Sequence, residues 1–213
     1  MKVELHLHTD RYSPCAVSPP EELLGTAVEA GYGAVFITEH DAVWNDVELA
    51  HLQAQFPEVR IFPGMELMVP QMNLAQHLLV LGTNDPTYVH LADRPDELLA
   101  RARDRGHLTV LAHPYRYAGG DELLRQGLLP DAIEHRTNNQ RGEQSADARR
   151  TAERLGLPLV NAGDTHAPTF LDRYWIETEE AVETAKELRF AVLSGAYVLR
   201  TARNEPSKVA TAR

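Results

Sequence analysis

The chain has 213 residues, 43% of them apolar, a formal net charge of −10 and a single cysteine, Cys15. That length suits one ordinary domain or one barrel with enough apolar material for a core, and the acid excess argues against long DNA or RNA, whose backbone phosphates are met with Lys and Arg. A lone cysteine excludes an intrachain disulfide, and neither a signal peptide nor a run of ~20 apolar residues is visible, so a cytoplasmic protein with no membrane span is expected.

Strand one runs from Val3 to His8 and is followed by a Ser- and Pro-rich loop, Thr9 to Pro20. Ser18-Pro19-Pro20-Glu21-Glu22 reads as a helix start with Ser18 as N-cap, and that helix continues to about Ala30 and stops at Gly31. Ala34 to Thr38 is a short buried strand leading into Glu39-His40-Asp41, and a second helix covers about Asp46 to Phe56. Arg60 to Met65 leads into Glu66. Pro70 to Gln76 is too short for a crossover helix, so Leu78 to Leu81 is expected to return as an antiparallel hairpin. That return brings His77, which begins its strand, to the rim carrying Glu66.

Arg94-Pro95-Asp96 opens a helix to about Arg105, ended by Gly106; Leu108 to Ala112 is a strand that exits through His113-Pro114. A short helix at Asp121 to Gln126 precedes a strand at Ala132 to Glu134. Ser145 to Leu155 is helical and closed by Gly156. Leu157 to Ala162 is the seventh strand, with Gly163-Asp164-Thr165-His166 as its exit. Thr178 to Leu193 is read as the last helix, acids first and Lys186 and Arg189 late. Tyr197 to Leu199 is a terminal strand, and the polar Asn204 to Arg213 is expected to fray. Seven strands alternating mostly with helices describe an α/β protein with a largely parallel sheet. Six separate strand ends must reach one centre, which favours a closed barrel over an open doubly wound sheet.

Residues two apart in a strand share a face, so His6 and His8 point the same way and offer half of a metal site. Asp164-x-His166 offers a second half. A carboxylate at Glu66 has two oxygens and can serve two cations ~3.5–4 Å apart. His77 and His113, each beside an apolar run, suit the second cation. His40 lies in a polar turn, where Asp41 can hold a ligand imidazole through its second nitrogen. Arg116 can fork onto phosphate oxygens. His51, His90 and His107 read as surface residues. At most one of Glu134 and His135 can face a site, because strand neighbours point opposite ways. No G-x-S-x-G elbow, P-loop or G-x-G-x-x-G is present.

His6-Leu7-His8, Ile37-Thr38-Glu39-His40-Asp41, Gly64-Met65-Glu66, His77-Leu78-Leu79-Val80-Leu81-Gly82, Ala112-His113-Pro114-Tyr115-Arg116 and Gly163-Asp164-Thr165-His166 together closely resemble the PHP family, the polymerase and histidinol phosphatase domain. The resemblance covers about Met1 to Pro168. It implies a distorted seven-stranded TIM-like barrel, two or three divalent ions (Zn, Mn or Fe) and phosphoesterase activity. By that resemblance His6, His8, Glu66 and Asp164 hold one ion, Glu66, His77 and His113 the second, and His40 and His166 help hold a third. Relatives often place a further Asp or His in the loop after the first strand. This chain reads Tyr12-Ser13-Pro14-Cys15 there, and Cys15 is expected to be a packed small residue rather than a thiolate ligand.

The expected chemistry is metal-activated hydrolysis of a small phosphomonoester or nucleotide, with Arg116 stabilising phosphoryl charge and His40 or His166 protonating the leaving oxygen where a third ion is lacking. Histidinol phosphate and protein phosphotyrosine are the alternative substrates. A metallohydrolase of amidohydrolase type is the rival enzyme class, but it usually needs a bridging lysine, and no lysine lies between Lys2 and Lys186. A non-catalytic accessory domain is the other rival, and the intact ligand set argues against it.

Overall fold

A computed structural model describes residues 1–71, 74–117 and 119–202. The expected frayed tail, Asn204 to Arg213, lies outside the described residues. Among the described residues nine strands form one sheet: β1 (Lys2–Leu7), β2 (Ala34–His40), β3 (Arg60–Gln71), β4 (Leu74–Leu81), β5 (Leu108–Ala112), β6 (Ala132–Arg136), β7 (Leu159–Asn161), β8 (Tyr174–Thr178) and β9 (Tyr197–Thr201). Seven helices accompany them among the described residues: α1 (Pro20–Glu29), α2 (Asp46–Gln55), α3 (Thr87–His90), α4 (Pro95–Arg105), α5 (Glu122–Arg125), α6 (Gly142–Leu155) and α7 (Ala185–Ser194). The spatial order is β7-β6-β5-β4-β3-β2-β1-β8-β9.

The first seven strands follow the expected plan. β1, β2 and β3 are mutually parallel, as are β5, β6 and β7, and β4 runs antiparallel between β3 and β5. The sheet closes at one end, where Leu7 bridges Thr165 beyond β7: His8 N donates to Thr165 O at 2.8 Å and Thr165 N to His6 O at 3.0 Å. At the other end β8 and β9 intervene. β8 pairs antiparallel with the start of β1, and the Tyr197 hydroxyl reaches Leu159 O at 2.7 Å. The result is a nearly closed barrel rather than an open sheet.

Two strands beyond seven are therefore present. β9 matches the expected terminal strand, but β8 forms where no element is expected, ending at Thr178, and the last helix begins at Ala185 rather than Thr178. The acids at Glu177, Glu179 and Glu180 mimic a helical first turn. Tyr174, Ile176 and Thr178 instead alternate in a strand paired on both sides. The helix waits for Thr184, whose side chain accepts from Glu187 N while the Glu187 carboxylate accepts from Thr184 N, a reciprocal cap that outcompetes the earlier acids. Two smaller expectations also shift. Pro19 rather than Ser18 precedes α1 as N-cap, and α3, a helix of four residues, forms where no element is expected.

The barrel lumen below the rim is apolar. Val3, Leu5, Ala34, Phe36, Leu79, Leu81, Val110 and Val160 meet there, joined by Leu188 and Val192 of α7. The outward faces of the strands pack against α1 and α2 on one side and α3 to α6 on the other.

β1 contains one irregularity that decides where its histidines point. Glu4 pairs with Val35 but Leu7 with Ile37, so β1 carries one extra residue, a bulge. Strict alternation would put Val3, Leu5 and Leu7 on one face. With the bulge, Val3 and Leu5 fill the lumen, Leu7 packs outside with α1 and α2, and His6 and His8 turn to the rim. The backbone groups this frees are taken up by Glu4: its Oε1 accepts from Leu5 N at 3.0 Å, His6 N at 3.0 Å and Gly163 N at 2.7 Å.

Candidate metal centre

Every strand of the first seven contributes to a polar layer at the end where Leu7 meets Thr165. His6 and His8 come from β1, His40 from the end of β2, Glu66 from β3 and His77 from β4. His113 follows β5, Glu134 lies on β6, and Asp164 and His166 follow β7. Three of the positions around this layer have a left-handed backbone: Asp41 (φ +48°), His113 (φ +27°) and Asp164 (φ +49°). Non-glycine residues rarely sit there, and such strain concentrates at functional sites.

Glu66 is the hub. Its Oε2 lies 3.1 Å from His6 Nε2, 3.1 Å from His8 Nε2 and 3.1 Å from His40 Nδ1. Its Oε1 lies 2.7 Å from His77 Nδ1 and 2.9 Å from His113 Nε2. The antiparallel return expected of β4 is what brings His77 back to Glu66, with Met68 opposite His77 in the ladder. Asp164 Oδ1 faces His6 (3.6 Å), His8 (3.5 Å) and His166 (3.4 Å). Its Oδ2 accepts from Asn139 Nδ2 at 2.6 Å and lies 3.9 Å from Arg116 Nη1. All eight side chains proposed as ligands from sequence are thus brought together, with Arg116 at the edge.

Two carboxylates behind the cluster fix the imidazoles. Glu134 Oε1 accepts from His6 Nδ1 at 2.8 Å, and its Oε2 accepts from His113 N at 2.6 Å. His6 therefore presents a lone pair at Nε2. Glu39 accepts from the Ser13 hydroxyl, the Thr9 hydroxyl and Trp44 Nε1. Ser13 Oγ, its proton committed to Glu39, accepts from His8 Nδ1 at 3.3 Å and His40 N at 3.1 Å. His8 therefore also presents a lone pair at Nε2. The two Nε2 atoms are only 2.9 Å apart.

That arrangement is electron-rich. Two lone pairs and the Glu66 Oε2, which has no hydrogen-bond partner, face one point in a fully buried environment. Glu4, Glu39, Glu66, Glu134 and Asp164 are all buried around it, and no lysine or arginine is among the buried residues described. Such a set is unfavourable unless positive charge sits inside it. The pKa directions say the same. Burial alone would lower His6 and His8, but Asp164, Glu66 and, for His6, Glu134 raise them. Burial would raise Glu66 and Asp164, but His6 and its neighbours hold both well below the usual carboxylate range. His40 goes the other way: burial lowers it to about 4, and His166 is lowered by the same cause. The donor set fits divalent cations, and four groupings of side chains have ligand atoms mutually within 4.8 Å: His6, His8 and Glu66; His6, His113 and Asp164; His40, Glu66 and His77; and His8, His40 and His166.

Several expectations need correction. Cys15 is exposed rather than packed, and it belongs to none of these groupings. Asp41 does not hold an imidazole; its Oδ1 accepts from Met68 N at 3.0 Å. His107 is half-buried and meets the Tyr88 hydroxyl at 2.8 Å instead of facing solvent. Of Glu134 and His135, Glu134 faces the site, while His135 turns to Arg149 on α6. Glu4 is not among the site residues expected from sequence, and Glu134 is expected only as one of the pair Glu134 and His135. Each is an acid fully buried in a strand, a placement that requires a partner.

A barrel-like α/β sheet with a buried imidazole–carboxylate cluster at one rim defines the class. The chain belongs to the PHP domain family, whose sequence model matches residues 4–112. It is 29% identical over 125 residues to an uncharacterized protein of Methanocaldococcus jannaschii, covering 54% of this chain and 68% of that one. It is also 29% identical over 178 residues to an error-prone DNA polymerase of Cutibacterium acnes, covering 78% of this chain but only 16% of the polymerase. Among solved structures, a two-domain protein from Bacteroides vulgatus, named as containing a predicted PHP-like metal-dependent phosphoesterase, superposes with a TM-score of 0.68 at 16% identity. That match covers 94% of this chain and 64% of the other.

Proposed function

We propose that the chain is a single metal-dependent phosphoesterase domain acting on a small phosphorylated substrate. The observation that carries this reading is the buried Glu66 carboxylate, within 3.1 Å of five imidazoles, with no buried lysine or arginine among the described residues to balance the surrounding acids. In this reading His6, His8, Glu66 and Asp164 hold one ion and Glu66, His77 and His113 a second. His40 and His166, with His8 beside them, hold a third. Zn, Mn and Fe suit the mixed imidazole and carboxylate set. Divalent cations bound there supply Lewis acidity, polarising a phosphoryl oxygen and making hydroxide available near neutral pH.

The residues of the chain do the rest. Glu134 and the Ser13–Glu39 pair keep His6 and His8 in the tautomer that directs Nε2 to the centre. Asn139 orients Asp164. Arg116, half-exposed at the edge, offers a guanidinium fork to the substrate's phosphoryl oxygens. Burial keeps His40 and His166 neutral near pH 7, which suits them better to ligation than to protonating a leaving oxygen. No described helix is long and apolar enough to cross a membrane.

Hydrolysis of p-nitrophenyl phosphate with added Mn²⁺ is the test. The reading requires turnover that chelation abolishes and Mn²⁺ restores. A metal-loaded, folded protein that cleaves neither this ester nor a set of phosphorylated metabolites overturns it.

A further inference from the structure

The turn that follows His113 carries an aromatic side chain with no role in the core. Tyr115 packs with the outer helices, its hydroxyl 2.5 Å from Thr151 Oγ1. Tyr117, two residues on, joins none of the hydrophobic clusters and is 45% exposed. Its ring lies beside the metal centre, 6.1 Å from the His77 ring and 6.3 Å from the His113 ring between centroids. The Arg116 guanidinium sits over it, 5.0 Å from the centroid, while reaching towards Asp164. Together the two side chains form a flat, polarisable ledge at the mouth of the site.

The backbone holds that ledge in place. Arg116 N donates to His113 O at 3.0 Å and Gly120 N to Tyr117 O at 3.2 Å. Gly120 packs so closely on the Pro114 carbonyl that no side chain fits there. Exposing a tyrosine ring has no packing benefit, and an aromatic face is a stacking surface for flat ligands that tolerates many ring systems. In an otherwise acid-rich chain, a guanidinium beside that face matches a ligand that is both planar and anionic.

Building on the phosphoesterase reading, we propose that the Arg116–Tyr117 ledge selects phosphate esters whose leaving group carries a flat aromatic ring, with Arg116 on the phosphoryl group and Tyr117 under the ring. The test compares kcat and KM for phenyl phosphate and glycerol 2-phosphate in the wild type, Tyr117→Ala and Tyr117→Phe. The two esters differ in intrinsic reactivity, so the readout is how their kcat/KM ratio changes between proteins. Tyr117→Ala is expected to lower the phenyl-to-glycerol ratio ~10-fold, chiefly through KM for phenyl phosphate, and Tyr117→Phe to keep it. A ratio unchanged in Tyr117→Ala, or lowered equally in Tyr117→Phe, overturns the ledge and leaves the phosphoesterase reading standing. A wild type that cleaves neither ester overturns that reading and the ledge with it.

Discussion

Glu134 offers the sharpest test of how the centre is held. It is fully buried and joins two neighbouring members of the site, accepting from His6 Nδ1 at 2.8 Å and His113 N at 2.6 Å. Both partners donate, so both carboxylate oxygens must accept. Glu134→Gln keeps the shape but supplies one acceptor and one donor. If the amide NH₂ faces His6, the imidazole must accept at Nδ1 and carry its proton at Nε2, where the lone pair for a cation is needed. If it faces His113 N, two donors oppose each other. Either outcome weakens metal binding, and loss of such a supporting partner typically costs 10–100-fold in affinity, or about 1.4–2.8 kcal/mol. Glu134→Ala leaves the His113 amide without an acceptor as well, a further loss of ~1–3 kcal/mol in stability. Competition titration of chelator-stripped protein with Zn²⁺ or Mn²⁺ measures the first effect, and thermal unfolding of the same samples the second. A folded Glu134→Gln protein that binds metal as tightly as the wild type refutes the tautomer argument.

Two further outcomes follow from residues outside the ligand set. Glu4→Ala strips the acceptor from three buried amides at the β1 bulge, so stability should fall by at least about 3 kcal/mol and the melting temperature by about 6–12 °C. Glu4→Gln, which retains one acceptor oxygen, should lose less; equal melting temperatures for the two would contradict the bulge account. His135 is buried beside Arg149 and Arg136, and burial first, then these charges, lower its imidazole to about 4. The unfolded chain then binds a proton below about pH 6.5 that the folded chain refuses, so stability drops as pH falls through 6.5 towards 4. The contribution is about 2.5 kcal/mol by pH 4.5. Denaturant unfolding at pH 7 and 4.5 should show a smaller acid loss in His135→Gln than in the wild type, and equal losses would rule the assignment out.

How far the sequence speaks depends on whether a feature is local. The spacing His6-x-His8 and Asp164-x-His166 fixes which side chains share a face, and the short hairpin between β3 and β4 fixes which rim His77 reaches. Both are consequences of period-two geometry and loop length. The β1 bulge is not local. Its extra residue is set by pairing with β2 and by Gly163, 159 residues away from Glu4. β8 is hidden for the same reason: its partner β1 lies at the other end of the chain and α7 separates it from β9, while the acids within and after it imitate a helix start. The supporting acids Glu4, Glu39 and Glu134 share one legible feature, a carboxyl set within a buried strand, that a single sequence displays but does not pair with its partner.

The same acids explain why the centre sits at the rim and not deeper. Below it the lumen is filled by Leu5, Phe36, Leu79 and Leu81, an environment in which any charge is costly. Above it, Arg116 and Tyr117 meet solvent. The carboxyls lie where the surrounding chain supplies donors to their outer oxygens: Gly163 N to Glu4 Oε1, His113 N to Glu134 Oε2, and the Ser13 and Thr9 hydroxyls to Glu39. What the backbone cannot neutralise is the face turned inward, Glu66 Oε2 against His6 and His8 Nε2. Asp164 and Glu66 raise His6 and His8 and so favour their protonated forms, and these imidazoles in turn lower Glu66 and Asp164. His6 and His8 would have to give up those protons to hold a divalent cation, so metal uptake there would be coupled to proton release from the imidazoles.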